Sequence, residues 1–88
     1  MRLVPLLAGA VLVFASAAAA AADICPSVAK ERWLSKEAIA AKARELGYQV
    51  RIVQEEHGCW EVKGLDAKGA RVEVYFHPAT AEVVKVKG

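Results

Sequence analysis

The stretch "EEHGCWEVKGLDAKGARVEVYF", Glu55 to Phe76, contains two turns and two segments of alternating apolar residues, and a third such segment, Tyr48 to Ile52, precedes it. A glycine lies at the end of each turn, at Gly58 and at Gly69. Alternation with a period of two is typical of a strand with one buried face, and short hairpin loops often need a residue with positive φ. The stretch therefore predicts two consecutive β-hairpins.

The length of the first loop decides which side chains of the first strand face inward. A three-residue loop at 56–58 places Ile52 opposite Val62 and keeps both on the inner face. A two-residue loop at His57-Gly58 would place Ile52 opposite Lys63 and turn an apolar set outward. We therefore expect the three-residue loop, with Glu55, Cys59 and Glu61 on the outer face and Glu56 and His57 at the loop tip.

The second and third loops follow the same logic. A three-residue loop at 67–69 places Val62 opposite Val74, Trp60 opposite Phe76, and Lys63 opposite Glu73 on the outer face. The expected inner positions are Tyr48, Val50, Ile52, Trp60, Val62, Val72, Val74, Phe76, Val84 and Val86.

A third loop of three residues at 79–81 would place Phe76 opposite Val84 and Val74 opposite Val86. Ala81 would then hold the left-handed position, which costs a residue with a Cβ about 1 kcal/mol. We expect Ala81→Gly to stabilise the domain by a few tenths to about 1 kcal/mol.

A helix is predicted ahead of the strands by "WLSKEAIAAKARELG", Trp33 to Gly47. Ser35 is a suitable N-cap and Gly47 suits the residue after a helix C-terminus. Ile39, Ala43 and Leu46 form one narrow apolar stripe that needs a sheet to cover it. The expected fold class is α+β, with one N-terminal helix packed on an antiparallel three- to four-stranded β-meander and a single disulfide.

The first 22 residues resemble a secretory signal peptide. Arg2 precedes an uncharged apolar run, and small residues then lead to Ala18, Ala20 and Ala22, which offer cleavage sites. The alternative is an uncleaved anchor, because the uncharged segment is long enough to cross a bilayer. We expect cleavage after Ala20 to Ala22, giving a signal peptide at 1–22, a domain at 23–88, a periplasmic or secreted location and no stable membrane association.

The remaining chain is small and nearly neutral. Its 12 basic and 10 acidic residues include only Arg2 within the first 22 positions, so residues 23–88 carry a net charge of about +1. This balance does not suggest a nucleic-acid partner. So short a domain often needs a covalent link, and the two cysteines, Cys25 and Cys59, predict one disulfide in an oxidising compartment. A reactive thiol is the alternative, although the chain has no C-x-x-C motif.

Two histidines are the candidate ligands for a metal. If the third strand returns beside the second, His77 lies opposite Cys59 and near His57. Such a pair could bind a metal with help from Glu55, but solvated histidines near turns are the simpler interpretation. No catalytic motif accompanies them: the chain lacks H-E-x-x-H, a Ser/His/Asp arrangement and a Gly-rich phosphate loop. We expect no cofactor and no enzymatic activity.

Together, "LGYQV" (Leu46–Val50), the hairpin stretch and "HPATAEVV" (His77–Val84) resemble a PepSY domain of the small secreted bacterial kind. The resemblance covers about Trp33 to Lys87. It implies a helix on an antiparallel sheet, occurrence in propeptides of secreted metallopeptidases, and restraint of peptidases. Ala81 and His77 depart from the family's "DPxTG" turn, which has Gly and often Asp at these positions.

The resemblance favours a non-enzymatic exported module whose partner is an exported peptidase or another envelope protein. Because no peptidase sequence follows Gly88, we expect any inhibition to act in trans. The alternatives are a small-ligand or metal-binding envelope protein that uses His57 and His77, and an envelope protein with a purely structural or sensing role. A fold-level resemblance supports these functions only by association.

Overall fold

A computed structural model describes residues 23–88, and the predicted signal peptide at 1–22 lies outside the described residues. A short 3-10 turn precedes one helix and four strands. The strands form one antiparallel sheet in chain order. The elements are the turn Lys30–Arg32, α1 Lys36–Glu45, β1 Gln49–Glu56, β2 Cys59–Leu65, β3 Arg71–Phe76 and β4 Val83–Lys87. This confirms the predicted α+β class with a four-stranded meander.

Helix α1 begins and ends where its sequence signals predict. The Ser35 hydroxyl accepts a hydrogen bond from the backbone N–H of Ala38 at 3.1 Å. Gly47 follows the helix with φ of +98°. Ile39 and Ala43 are fully buried against the sheet, whereas Leu46, the expected third member of the stripe, is about half exposed. The helix packs mainly over β1 and β2, and the face of the sheet that it covers is called the inner face below.

The predicted three-residue length of the first hairpin loop is wrong. Glu56 pairs with Cys59, so the loop has two residues, and both have positive φ, at 52° for His57 and 77° for Gly58. Ile52 therefore lies opposite Lys63, and its side chain is 49% exposed. The favoured two-residue hairpin turn requires positive φ at both central positions, and this His-Gly pair adopts it.

A β-bulge in β1 restores the inner face that the shorter loop would otherwise disrupt. The register shifts between Val50 and Ile52, so Val50 pairs with Gly64 and turns back toward the core. Val53 replaces Ile52 as an inward residue. The extra residue reverses the alternation of side chains along β1. Val50 before the bulge and Val53 after it can therefore both face the helix.

The shorter loop also changes the outer face. Glu55 pairs with Trp60 and so shares the inner side, contrary to the expectation, and its carboxylate contacts Lys30 Nζ at 2.8 Å. Cys59 and Glu61 lie on the opposite side, as predicted.

The second hairpin agrees with its predicted register. Trp60 pairs with Phe76, and Val62 with Val74. The loop ends at Gly69 with φ of +81°, and Asp66 closes it by accepting hydrogen bonds from the backbone of Lys68 and Ala70. Lys63 pairs with Glu73 on the outer face, as expected.

The third hairpin confirms one end of its predicted register and corrects the other. Ala81 is left-handed at φ of +64°, and Val74 pairs with Val86. Phe76 pairs with Val83 rather than Val84, because the His77 N–H donates to Glu82 across a loop of four residues. A register shift beside Val84 then restores the predicted alignment, as the bulge in β1 does at the other edge of the sheet.

The core lies between α1 and the inner face of the sheet. Its largest buried members include Phe76, Ile39, Val62 and Val74, with Trp60 nearly buried beside them. Among residues 23–88, no helix has the length and apolar character needed to cross a membrane.

Candidate functional site

The outer face of the sheet, opposite α1, carries the features that the core does not use. One half is covered by the N-terminal residues of the described chain. Cys25 and Cys59 form a disulfide with Cα atoms 5.3 Å apart, and the backbone N–H groups of Ile24 and Cys25 donate to the carbonyl of His57. Both cysteines are buried beside Tyr75. The predicted cysteine pair is therefore a structural link that ties the N-terminal segment to the first hairpin.

A buried carboxylate lies next to this link. Glu61 is only 1% exposed, and its Oε1 accepts a hydrogen bond from Gln54 Nε2 at 2.9 Å. Burial alone would raise the pKa of Glu61. Hydrogen bonds from Gln54 and Tyr75, a contact with Glu73 and the charge of Lys63 outweigh this and lower the pKa below its ordinary value.

The same contacts act in the opposite direction on the phenol. Burial and the hydrogen bond with Glu61 raise the pKa of Tyr75 to about 12. Its hydroxyl also donates to Glu73 Oε1 at 3.4 Å. Glu61 therefore remains ionised and Tyr75 remains neutral at physiological pH, which suits a structural network better than a proton-transfer pair.

The two candidate metal ligands both lie at loops at the same end of the sheet. His57 occupies the tip of the first hairpin, with Nε2 3.8 Å from Glu56 Oε1 and its ring 6.3 Å from that of Tyr75. His77 Nδ1 accepts hydrogen bonds from the backbone N–H groups of Ala79 and Thr80.

This geometry limits how the histidines could bind a metal. The turn occupies Nδ1 of His77, so only its Nε2 is available as a ligand atom. Glu55, the expected helper, lies on the inner side beside Trp60. Across residues 23–88, no group of three or more His, Cys, Asp or Glu side chains is placed to hold a metal ion. Metal binding by His57 and His77 stays an untested alternative to the expectation that they bind none.

Trp60 belongs to the core, and the partly buried Trp33 packs against it. Their rings meet edge to face with centroids 5.3 Å apart. Trp60 Nε1 donates to the carbonyl of Leu34, and Trp33 Nε1 donates to that of Val28. With both indole N–H groups bonded to the backbone, the pair fixes the path of the chain from the outer face to α1.

The other half of the outer face is open and forms a shallow depression of about 770 Å³. We call it the basic depression. Its lining includes four cationic residues, three large apolar ones and one carboxylate, that of Glu73. The cationic residues are Arg51, Lys63, Arg71 and Lys87. The apolar residues are Ile52, Leu65 and Val72, of which Val72 is buried.

The sequence reasoning missed this depression because it depends on the first loop. The two-residue loop turns Ile52 outward, opposite Lys63, and the bulge places Arg51 beside it. Gly64 gave the available signal, since a glycine inside a strand often marks a bulge or a close backbone approach.

Comparison with known proteins gives a match to a family model. The model of the PepSY family described as "Peptidase propeptide and YPEB domain" matches residues 5–87. No curated protein matches the chain, and no solved structure does. Because the match extends over nearly the whole chain, this protein belongs to the family of peptidase propeptide and YPEB domains.

Proposed function

We propose that this chain is an exported, non-enzymatic binding module that inhibits a peptidase in trans. The observation that carries the proposal is the match of residues 5–87 to a family of peptidase propeptide domains. Propeptide domains of this kind regulate peptidases and do not catalyse reactions themselves. In trans, a domain of this kind acts on an enzyme that it meets after export.

Two structural features support this proposal. The Cys25–Cys59 disulfide fits an oxidising compartment, where exported peptidases also occur. Three titratable side chains have structural roles: His77 caps a turn, and Glu61 and Tyr75 are buried in hydrogen bonds with one another and their neighbours. None of these groups forms a nucleophile with an adjacent base.

Inhibition assays test the proposal directly. Purified residues 23–88 are added to each exported peptidase of the organism that encodes the chain, and peptide hydrolysis is followed over a range of concentrations. We expect saturable inhibition of at least one peptidase and no hydrolysis by the module alone. The absence of inhibition across the whole set, or hydrolysis that co-purifies with the module, would contradict the proposal.

A histidine variant separates inhibition by binding from removal of a catalytic metal. Metal capture could imitate inhibition if His57 and His77 bind zinc. The double variant His57→Ala/His77→Ala should therefore inhibit as strongly as the unmodified domain. If inhibition disappears in this variant, and added zinc relieves the inhibition by the unmodified domain, the metal-binding alternative explains the effect.

A further inference from the structure

The basic depression is the uncovered half of a sheet face whose other half is already occupied. The segment around Cys25 covers Cys59 and Tyr75. Farther along the strands, Ile52 is 49% exposed. Together with the half-buried Leu65, which lines the same depression, it forms an apolar patch against which another chain can bury surface.

The charges around this apolar surface are unequal. Four of the chain's 12 basic residues line the depression, but only one of its 10 acidic residues does. Glu73 contacts Lys87 at 4.0 Å. Within residues 23–88, Arg51, Lys63 and Arg71 make no ion pair. Arg51 and Arg71 therefore remain able to pair with carboxylates of a ligand, whereas the charge of Lys63 already acts on the buried Glu61.

We propose that the basic depression binds an acidic, extended segment of a partner protein, with one apolar side chain of that segment against Ile52 and Leu65. Carboxylates on either side of the apolar residue would pair with Arg51 and Arg71. The proposal goes beyond inhibition of a peptidase, because it specifies the chemistry of the bound segment whether or not the partner is an enzyme.

The shape and lining favour a peptide over other anionic partners. The lining residues form a depression, which a flexible extended segment can follow more closely than a flat membrane can. None of the side chains that line it is aromatic, whereas single-stranded nucleic acids are commonly held by stacking on aromatic rings. An acidic peptide with an apolar residue matches both the cationic and the apolar residues of the basic depression.

The test uses a short capped peptide with two glutamates on each side of one leucine. Amide NMR shifts of the isotope-labelled domain are followed as this peptide is added. We expect saturable shifts at Arg51, Ile52, Lys63, Leu65 and Arg71, and affinity that falls as salt is raised. A peptide with serine in place of leucine should bind more weakly.

Charge variants with a matched control test the proposed ion pairs. Arg51→Gln/Arg71→Gln should weaken binding about fivefold, because each exposed ion pair contributes modestly. Lys36→Gln/Arg44→Gln removes the same charge from exposed positions on α1 and should leave the affinity unchanged. Equal losses in both double variants would show attraction to net charge alone and would overturn the site.

Serine variants test the apolar contact in the same way. Ile52→Ser should weaken binding about fivefold because the leucine loses its apolar contact. Val84→Ser changes a similarly exposed valine in β4, outside the depression, and should have no effect. Three results would overturn the proposal: no saturable shifts, shifts centred on α1, or tighter binding of the same residues to anionic vesicles or a single-stranded oligonucleotide.

Discussion

Gly64→Ala should separate the start of β1 from β2, because Gly64 lies against the backbone of β1. A Cβ built at this position would overlap the carbonyl oxygen of Gln49 and lie 2.9 Å from its carbonyl carbon. It would also lie 3.3 Å from the Cα of Val50. Backbone atoms cannot rotate away as a flexible side chain can, so the start of β1 must separate from β2.

The cost follows from what that separation breaks. The pairs Gln49–Leu65 and Val50–Gly64 would be lost, and two backbone hydrogen bonds contribute about 2 kcal/mol together. Partial exposure of Tyr48 and Val50, which pack against the core, adds about 1 to 2 kcal/mol. The total of about 3 to 4 kcal/mol is a large share of the roughly 3 to 10 kcal/mol expected for so small a domain.

Urea denaturation under oxidising conditions measures this effect. Gly69→Ala is the matched control, because its Cβ would meet no atom within 4 Å and its φ of +81° costs an alanine only about 1 kcal/mol. We expect Gly64→Ala to lower the midpoint far more than Gly69→Ala does. Equal midpoints for the two variants would show that the bulge in β1 is misplaced.

Three further predictions concern the disulfide, the buried phenol and the third loop. Protein taken from its native compartment should have no alkylatable thiol at Cys25 or Cys59 by mass spectrometry, and Cys25→Ser/Cys59→Ser should cost about 3 kcal/mol of stability. In a Tyr48→Phe variant, spectrophotometric titration should show Tyr75 ionising near pH 12. Because the folded-state pKa of Tyr75 exceeds its unfolded value of 10.0, its contribution to stability is complete below pH 10 and is lost as pH rises toward 12; ionisation at its ordinary pKa would contradict the network. Ala81→Gly should change the free energy of unfolding by less than about 1 kcal/mol in either direction, because relief of the left-handed strain is offset by a lost methyl burial of about 0.8 kcal/mol and by the greater backbone entropy of glycine. A larger change in the urea midpoint would show that one of these terms is misjudged.

The prediction for Ala81→Gly shows how the structure changes a conclusion drawn from sequence. The sequence correctly predicted the left-handed backbone from the spacing of the strands. The expected stabilisation was the balance between relief of this strain and the greater backbone entropy that glycine loses on folding. Only the fold shows that the Ala81 side chain is buried in the core, so that the methyl group removed by the substitution contributes to stability.

Local signals in the sequence determined much of the fold. Ser35 caps the helix because its hydroxyl satisfies a backbone N–H that has no partner within the helix. Gly69 ends the second loop because that position requires positive φ. Two cysteines in a short chain with a signal-like start predicted their pairing. Each of these features depends on a few neighbouring residues or on composition, so each could be read without knowledge of the packing.

Loop length and bulges were decided by the tertiary structure. For His57-Gly58, the two-residue turn turns Ile52 outward, which the alternation of the strand alone argued against. The fold accepts this turn because a bulge at Arg51 brings Val50 back to the core, and the third hairpin makes a similar adjustment beside Val84. Strand alternation fixes which residues can share a face, but packing against α1 and β2 decides where an extra residue is inserted. The basic depression arises from that choice, so its position was determined by the packed sheet and not by the local sequence.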